Sequence, residues 1–142
     1  MTQLNPYLSF DGTAEAAFNF YKSVFGGEFA SIMRWRDNPQ CEEFSENDKN
    51  GIMHVALPVG DSVIMGSDSV GAMGPELVAG NNFTVAISPD SREESDRLFN
   101  ELSAGGEPTM PMQDMFWGGY FGCLKDKFGT PWMINFDPNR TK

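Results

Sequence analysis

Residues able to do acid–base or metal chemistry are few in this chain of 142 residues. It has one histidine, His54, and two cysteines, Cys41 and Cys123. One histidine cannot form a histidine-based catalytic zinc site, because such a site takes three protein ligands and a water. The cysteines lie far apart without C-x-x-C spacing, which argues against both a disulfide framework and a zinc ribbon. We therefore expect reduced, structural thiols.

The remaining catalytic combinations offer few geometries. A lone histidine in an apolar stretch such as IMHVAL is more often a packed, hydrogen-bonded residue than one that lines a pocket, so His54 stays a candidate acid/base residue only. Pairing of either cysteine with His54 as a nucleophile is formally open. The stretch Asp37–Asn50 carries five acidic residues and almost no apolar ones. It predicts a solvated, mobile loop, with a lid over a cavity mouth as the alternative.

Aromatic and methionine side chains suit binding better than catalysis. Many of them are expected to pack helices against sheets or to fill a dimer interface. The segment MPMQDMFWGGYFG, Met110–Gly122, is predicted to be a loop whose exposed aromatic residues suit the rim of an apolar ligand pocket. Methionine makes such a surface adaptable. The candidate ligand-binding residues are His54, Trp35, Phe116, Trp117, Tyr120 and Gln113.

The elements that position these residues repeat along the chain. FDGTAEAAFNFYKSVFGGEF, Phe10–Phe29, aligns without a gap on PDSREESDRLFNELSAGGEP, Pro89–Pro108. In the first copy, apolar residues at helical spacing predict a helix over about Thr13–Phe25. In the second, Ser91–Glu94 predicts a capping box that opens a similar helix. Each helix is predicted to end at a Gly-Gly pair.

Strand patterns surround both helices. The predicted strands are Leu4–Phe10, Glu28–Arg36, Gly51–Pro58 and Ser62–Ser67 in the first half, and Asn82–Ser88, Glu107–Met112, Tyr120–Leu124 and Pro131–Phe136 in the second. Each half is thus strand, helix, strand, strand, strand, with a seam at Gly71–Asn82. We predict an α+β fold, a single domain over 1–142 made of two βαβββ modules at about 1–70 and 80–137.

Three segments resemble a known family. FYKSVFGGEF, IMHVALPVGDSVIMGSD and QDMFWGGYFGCLKDKFGTPW are similar to the glyoxalase/bleomycin-resistance/extradiol-dioxygenase superfamily, also called vicinal oxygen chelate proteins, in its PhnB-like or "3-demethylubiquinone methyltransferase-like" branch. The resemblance implies modules that curl into half-open cups and face each other over a ligand cavity, often in a dimer. His54 and the Phe116–Trp117 segment would then converge on one pocket. No glycine-rich nucleotide loop follows a strand, as a cofactor-binding methyltransferase would need.

The resemblance also allows a check for the superfamily's metal site. Its ligand positions fall at or beside Pro6, Phe83 and Met133, none of which binds a divalent ion. One-residue slips offer only Asn5 and Asn82, and Asn135 is the nearest polar residue in the last strand. We therefore expect no metal and no cofactor. Gly119 and Tyr120 stand where the branch often has an arginine, and Thr130 where many members have histidine, which weakens an anionic-substrate interpretation.

Charge and hydropathy exclude further classes of partner. The formal net charge of −10, with no basic cluster, disfavours nucleic acid and anionic membranes. No run of 18 apolar residues occurs, and MTQLNPYLSF lacks the features of a signal peptide, so a cytoplasmic protein is expected.

The function predicted from the sequence is ligand binding. We expect a homodimeric, metal-free protein that binds a flat or apolar small molecule in a cavity between its modules. The alternative is an enzyme of unknown reaction, of the lyase, isomerase or dioxygenase kind, that uses His54 or an unorthodox divalent metal site. A third possibility is an interaction module without a ligand.

Overall fold

Each half of the chain forms its own sheet and helix. The computed structural model describes residues 2–39, 42, 44–69 and 77–139. It divides into two compact units, Met1–Val78 (unit 1) and Ala79–Lys142 (unit 2). Cys41 and part of the predicted seam lie outside the described residues.

Unit 1 is a four-stranded sheet covered by one long helix. Its elements are β1 Tyr7–Phe10, α1 Ala14–Phe25, β2 Ser31–Arg34, α2 Glu46–Asn50, β3 Ile52–Val59 and β4 Ser62–Asp68. The strand order is β1-β4-β3-β2, with β1 parallel to β4 and the other pairs antiparallel.

Unit 2 repeats this arrangement. Its elements are β5 Val85–Ile87, α3 Arg92–Ser103, β6 Glu107–Asp114, β7 Tyr120–Lys125 and β8 Pro131–Phe136. The order is β5-β8-β7-β6, again with one parallel pair, β5 and β8. The predicted α+β fold of two βαβββ modules is confirmed.

The long helices pack on the sheets through the predicted apolar stripes. In α1, Ala14, Ala17, Phe18, Tyr21 and Val24 are buried. The strand beneath has a glycine at the closest point, because a Cβ at Gly66 would lie 2.7 Å from the Phe18 ring and 2.8 Å from the Leu8 carbonyl oxygen. In unit 2, Leu98 and Leu102 of α3 are buried together with Leu124, Trp132 and Ile134 of the sheet.

Two buried aspartates fix the chain where elements meet. In unit 1, Asp68 accepts hydrogen bonds from the backbone N–H groups of Ala14 (2.9 Å) and Ile52 (2.8 Å). It thus supplies the cap that the side chain of Thr13 does not provide to α1. In unit 2, Asp126 accepts from the N–H groups of Phe128 (2.9 Å) and Thr130 (3.0 Å) and from Nε1 of Trp132 (2.8 Å), and so closes the β7–β8 turn.

The stretch Asp37–Asn50 is more ordered than its acidic composition predicts. A short 3-10 turn covers Trp35–Asp37, and α2 begins after Ser45, whose hydroxyl accepts from the Asp48 N–H at 3.1 Å. Phe44, the single aromatic residue in the stretch, is 8% exposed and packs edge-to-face on Trp35 at 5.5 Å. The described residues of the stretch thus form a 3-10 turn and a short helix with one buried aromatic residue, which the composition did not indicate. That the stretch is mobile, or serves as a lid, stays a prediction.

The predicted loop Met110–Gly122 is a hairpin. Strand β6 continues to Asp114 and β7 begins at Tyr120, which leaves only 115–119 as the turn. The predicted strand Glu107–Met112 is thus present and two residues longer, although it contains Pro108 and Pro111. They are tolerated because β6 is an edge strand, where a residue without an N–H leaves no ladder bond unmade on its open side.

Within the part of the chain that the structure describes, no helix combines the length and apolar character that a membrane crossing requires.

Candidate functional site

The two faces of the unit 2 sheet differ in what covers them. Tyr120 of β7 lies on the side of α3, since its hydroxyl donates to Asp96 Oδ1 at 2.5 Å and the Arg92 guanidinium lies 3.9 Å from its ring centroid. Side chains alternate along a strand, so Phe121 and Cys123 point to the opposite side. We call this opposite side the helix-free face of unit 2.

Strand register places polar and apolar side chains together on that face. Phe121 of β7 is paired with Gln113 of β6 on one side and with Asn135 of β8 on the other. Cys123 is likewise paired with Met133. Directly opposed residues of antiparallel strands share a face, so these five side chains form one surface.

The turn between β6 and β7 folds an indole onto this surface. It is closed by the Met115 N–H donating to the Gly119 carbonyl oxygen at 2.8 Å. Trp117 packs edge-on to Phe121, with ring centroids 6.1 Å apart, yet it is 47% exposed. A Cβ at Gly119 would overlap the six-membered ring of Trp117 and lie 2.7 Å from Asn135 Oδ1. The indole therefore rests on bare backbone, beside the amide of Asn135.

Asn135 carries the unusual polar atom of this face. Its Oδ1 is buried, and no donor within residues 2–39, 42, 44–69 and 77–139 forms a hydrogen bond with it. Solvent does not reach the oxygen in this conformation. A buried acceptor without a partner is uncommon in proteins and costs about 1–3 kcal/mol.

The predicted ligand-binding residues of unit 2 divide between the faces. Trp117 stands over the helix-free face, Gln113 lies on it, and Phe116 is 98% exposed in the same turn as Trp117. Tyr120 is not brought to them, because it is held by α3. Its hydrogen bond to Asp96 raises the pKa of the phenol. Sequence reasoning missed Phe121 as a residue of the helix-free face, because both faces of β7 are apolar.

Unit 1 has a comparable face around His54. The half-buried His54 lies opposite Met33 of β2, and its ring centroid is 6.0 Å from that of Tyr7. Trp35 has a structural environment instead: its Nε1 donates to the Asp68 carbonyl oxygen at 3.1 Å, and its ring packs on Phe44. That His54 and Trp117 line one cavity stays a prediction.

A sequence profile of the 3-demethylubiquinone-9 3-methyltransferase family matches residues 2–135. The chain belongs to this family. The YjdN protein of Escherichia coli K12 is 34% identical in an alignment 140 residues long, which covers 93% of this chain and 93% of that one. Protein PA1353 from Pseudomonas aeruginosa is 35% identical, with a TM-score of 0.83 over 96% of this chain and 98% of that one. The PhnB protein of Bacillus cereus is 25% identical, with a TM-score of 0.75 over 95% and 99%.

The 3-demethylubiquinone-9 3-methyltransferase family shares its fold with the wider glyoxalase/bleomycin-resistance superfamily. The fosfomycin resistance protein FosX from Listeria monocytogenes superposes with a TM-score of 0.64 over 96% of this chain and 93% of that one, at 14% identity. The resemblance inferred from the three sequence segments is confirmed.

Metal-binding side chains are sparse in this family member. The described part of the chain contains no group of three or more His, Cys, Asp or Glu residues that could hold an ion. Of the amides considered from the sequence, Asn5 is engaged, because its Oδ1 accepts from the Val63 N–H at 3.0 Å, and Asn82 is exposed.

The cysteine on the helix-free face is a poor nucleophile. Cys123 is a free thiol and half-buried among apolar neighbours. Burial raises its pKa, which lowers the thiolate fraction near neutral pH. Its surroundings thus suit an apolar contact better than covalent chemistry.

Proposed function

We propose that this family member is a small-molecule-binding protein that takes a flat, largely apolar ligand on the helix-free face of unit 2. The observation that carries the proposal is the placement of Trp117, which is half-exposed while it packs on Phe121 and lies beside Asn135. An aromatic residue that fills a core is usually buried, whereas one at the edge of a binding surface keeps a free ring face.

The composition of the face supports the same class of ligand. Phe121, Cys123 and Met133 provide soft, polarisable contacts, and Gln113 and Asn135 provide polar groups in the same row. A surface that is mostly apolar with few polar groups is typical of small-molecule sites. The nearby cation Arg92 is already paired with Asp114 at 2.7 Å on the other side of the sheet, which favours uncharged ligands over anionic ones.

Binding of uncharged two-ring aromatic compounds tests this proposal. Naphthalene, quinoline and indole are titrated into the purified chain and followed by Trp fluorescence and by chemical shifts. The Trp117→Ala variant should raise the dissociation constant of any binder at least about tenfold, because a central aromatic contact commonly contributes more than about 1.4 kcal/mol to binding.

The matched control is Phe128→Ala, which removes an aromatic ring from the turn at the other end of β7. It should leave the dissociation constants within about twofold, a change small against the tenfold expected per 1.4 kcal/mol. If no compound of the panel binds, or if both variants lose binding equally, the proposal fails.

A second candidate function, an enzyme with an acid/base residue, is favoured by the position of His54. The imidazole is half-buried and lies near Tyr7, whose side chain is 50% exposed, so a bound molecule can reach both. Histidine is the side chain best suited to proton transfer near neutral pH. His54→Asn should abolish any turnover discovered in a substrate screen and leave the affinity for aromatic probes intact. A stoichiometric divalent ion that survives dialysis would favour the enzyme over the binding protein.

A further inference from the structure

The starting point is the unsatisfied amide oxygen of Asn135. It lies on a face whose neighbouring side chains, Phe121 and Met133, offer it no donor, and it is sealed from solvent. An aliphatic side chain of the same size would avoid the cost of burying this oxygen. The arrangement therefore suits a state in which Oδ1 accepts a hydrogen bond from a molecule other than the chain itself.

The cover over this oxygen is weakly held. A Cβ at Gly119 would overlap the Trp117 ring and lie 2.7 Å from Asn135 Oδ1, which places the indole beside this oxygen. Trp117 also packs on Phe121 and is 47% exposed. The turn that carries it contains Gly118 at φ 98°, and the preceding Phe116 is 98% exposed. A short, exposed turn with few buried contacts is a low-stability part of a fold and opens at little cost.

We infer that the ligand of unit 2 carries an N–H or O–H donor at the edge of its flat ring system, and that this donor binds Asn135 Oδ1 after the Trp117 indole has moved aside. The inference rests on the proposed function. Phe121 and Met133 contact one face of the ligand, and the displaced indole covers the other. A site built around a buried acceptor rejects an analogue without the donor, because that analogue leaves the acceptor unpaired.

Indole and 1-methylindole form the probe pair for this inference. They have the same ring system, and methylation of the ring nitrogen removes the only donor. Each is titrated into the ¹⁵N-labelled wild-type chain. Indole should bind about tenfold more tightly than 1-methylindole, the ratio expected for one hydrogen bond. It should also shift the side-chain signals of Asn135 and Trp117.

The Asn135→Leu variant separates hydrogen bonding from bulk. It removes the acceptor and keeps the branching and the number of side-chain heavy atoms, so indole should lose its advantage and both probes should bind with similar affinity. The control Asn100→Leu, at an exposed position of α3, should retain the preference for indole. Because Oδ1 lacks a partner, Asn135→Leu should melt at the wild-type temperature or above it.

The outcomes distinguish this inference from the proposal beneath it. Equal affinity of the two probes for the wild type overturns the donor requirement and leaves the binding function standing. A preference for indole that persists in Asn135→Leu also overturns it, since the methyl group would then be excluded by size. A marked drop in the melting temperature of Asn135→Leu also overturns the inference, because it would show that the wild-type amide already has a hydrogen-bond partner. If neither probe binds, the proposed function and the inference both fail.

Discussion

At the scale of single residues, the buried carboxylate of Asp126 stabilises the turn between β7 and β8. It accepts hydrogen bonds from two backbone N–H groups and from the buried Trp132 indole. Hydrogen bonds to a charged acceptor are about twice as strong as neutral ones. The hydrogen bonds from Thr130 and Trp132 are also buried. Asp68 has the equivalent task at the start of α1.

We predict that Asp126→Asn lowers the free energy of unfolding by about 2–4 kcal/mol. The amide keeps one acceptor oxygen and turns an NH₂ group toward a donor that previously had a partner. Chemical denaturation with the linear extrapolation gives the value. Asp137→Asn is the matched control, since among the described residues its carboxylate accepts from the exposed Asn139 N–H alone, at 2.9 Å. Equal losses in the two variants would show that the buried network has no special weight.

Cys123 should show the reactivity of a thiol whose pKa is raised by burial. In a Cys41→Ser background, alkylation by iodoacetamide should be slower at pH 8 than in the denatured chain, because less thiolate is present. The rate should rise at a higher pH than for a free cysteine. Since Cys123 shares its face with Phe121 and Asn135, saturation with an aromatic probe should slow the reaction further. A pH profile equal to that of the denatured chain would contradict this expectation.

At the scale of elements, the packing of α1 depends on one glycine in β4. Gly66→Ala would push a methyl group into the Phe18 ring and the Leu8 carbonyl oxygen, and both are held by surrounding structure. We predict a loss of about 1–3 kcal/mol, as for overpacked cores in general.

Gly80→Ala serves as the comparison for Gly66→Ala. Among the described residues its added Cβ would meet Asn82 Oδ1 alone, at 3.8 Å, so its stability should stay close to that of the wild type. Thermal unfolding of both variants gives the answer. A Gly66→Ala protein that melts with the wild type would mean that α1 shifts freely along the sheet.

The helices were predictable because the spacing of their apolar residues and the residue types at their ends indicate the same segments. The N-cap half of the box predicted at Ser91 is present, with the hydroxyl accepting from the Glu94 N–H at 3.0 Å. Strand ends were harder: Glu28–Arg36 was predicted and Ser31–Arg34 is observed, since the first ladder bond of this segment is made by the Ala30 N–H. Apolar pattern alone does not reveal where a neighbouring strand begins to pair.

Parts of the candidate site could not be predicted for a related reason. In YFGCLK both faces of β7 are apolar, so the pattern does not tell whether Tyr120 or Phe121 faces the helix. A shift of the pairing register by one residue moves each side chain of the strand to the opposite face of the sheet. The residue types of the site were therefore available from the sequence, and the partition between faces came only from the register.

At the scale of the whole molecule, we expect the chain to form a homodimer. Tyr7 and Met33 of unit 1 and Trp117 of unit 2 are between 40% and 50% exposed, and apolar surface of this kind favours association. Sedimentation at micromolar concentration should give twice the chain mass of 15.7 kDa. The net charge of −10 opposes association, so added salt should tighten it. A species of 15.7 kDa alone at all salt concentrations would argue against a dimer.

The bare backbone beneath Trp117 also has a consequence for inheritance. Every amino acid that a single-base change in a glycine codon can introduce carries a Cβ, and at Gly119 any Cβ overlaps the indole. A lineage that keeps the indole in this resting position must therefore keep the glycine, because a Cβ at 119 would hold the ring in its displaced position. Positions 117 and 119 should change together among related chains. Tryptophan at position 117 combined with alanine at position 119 should be rare.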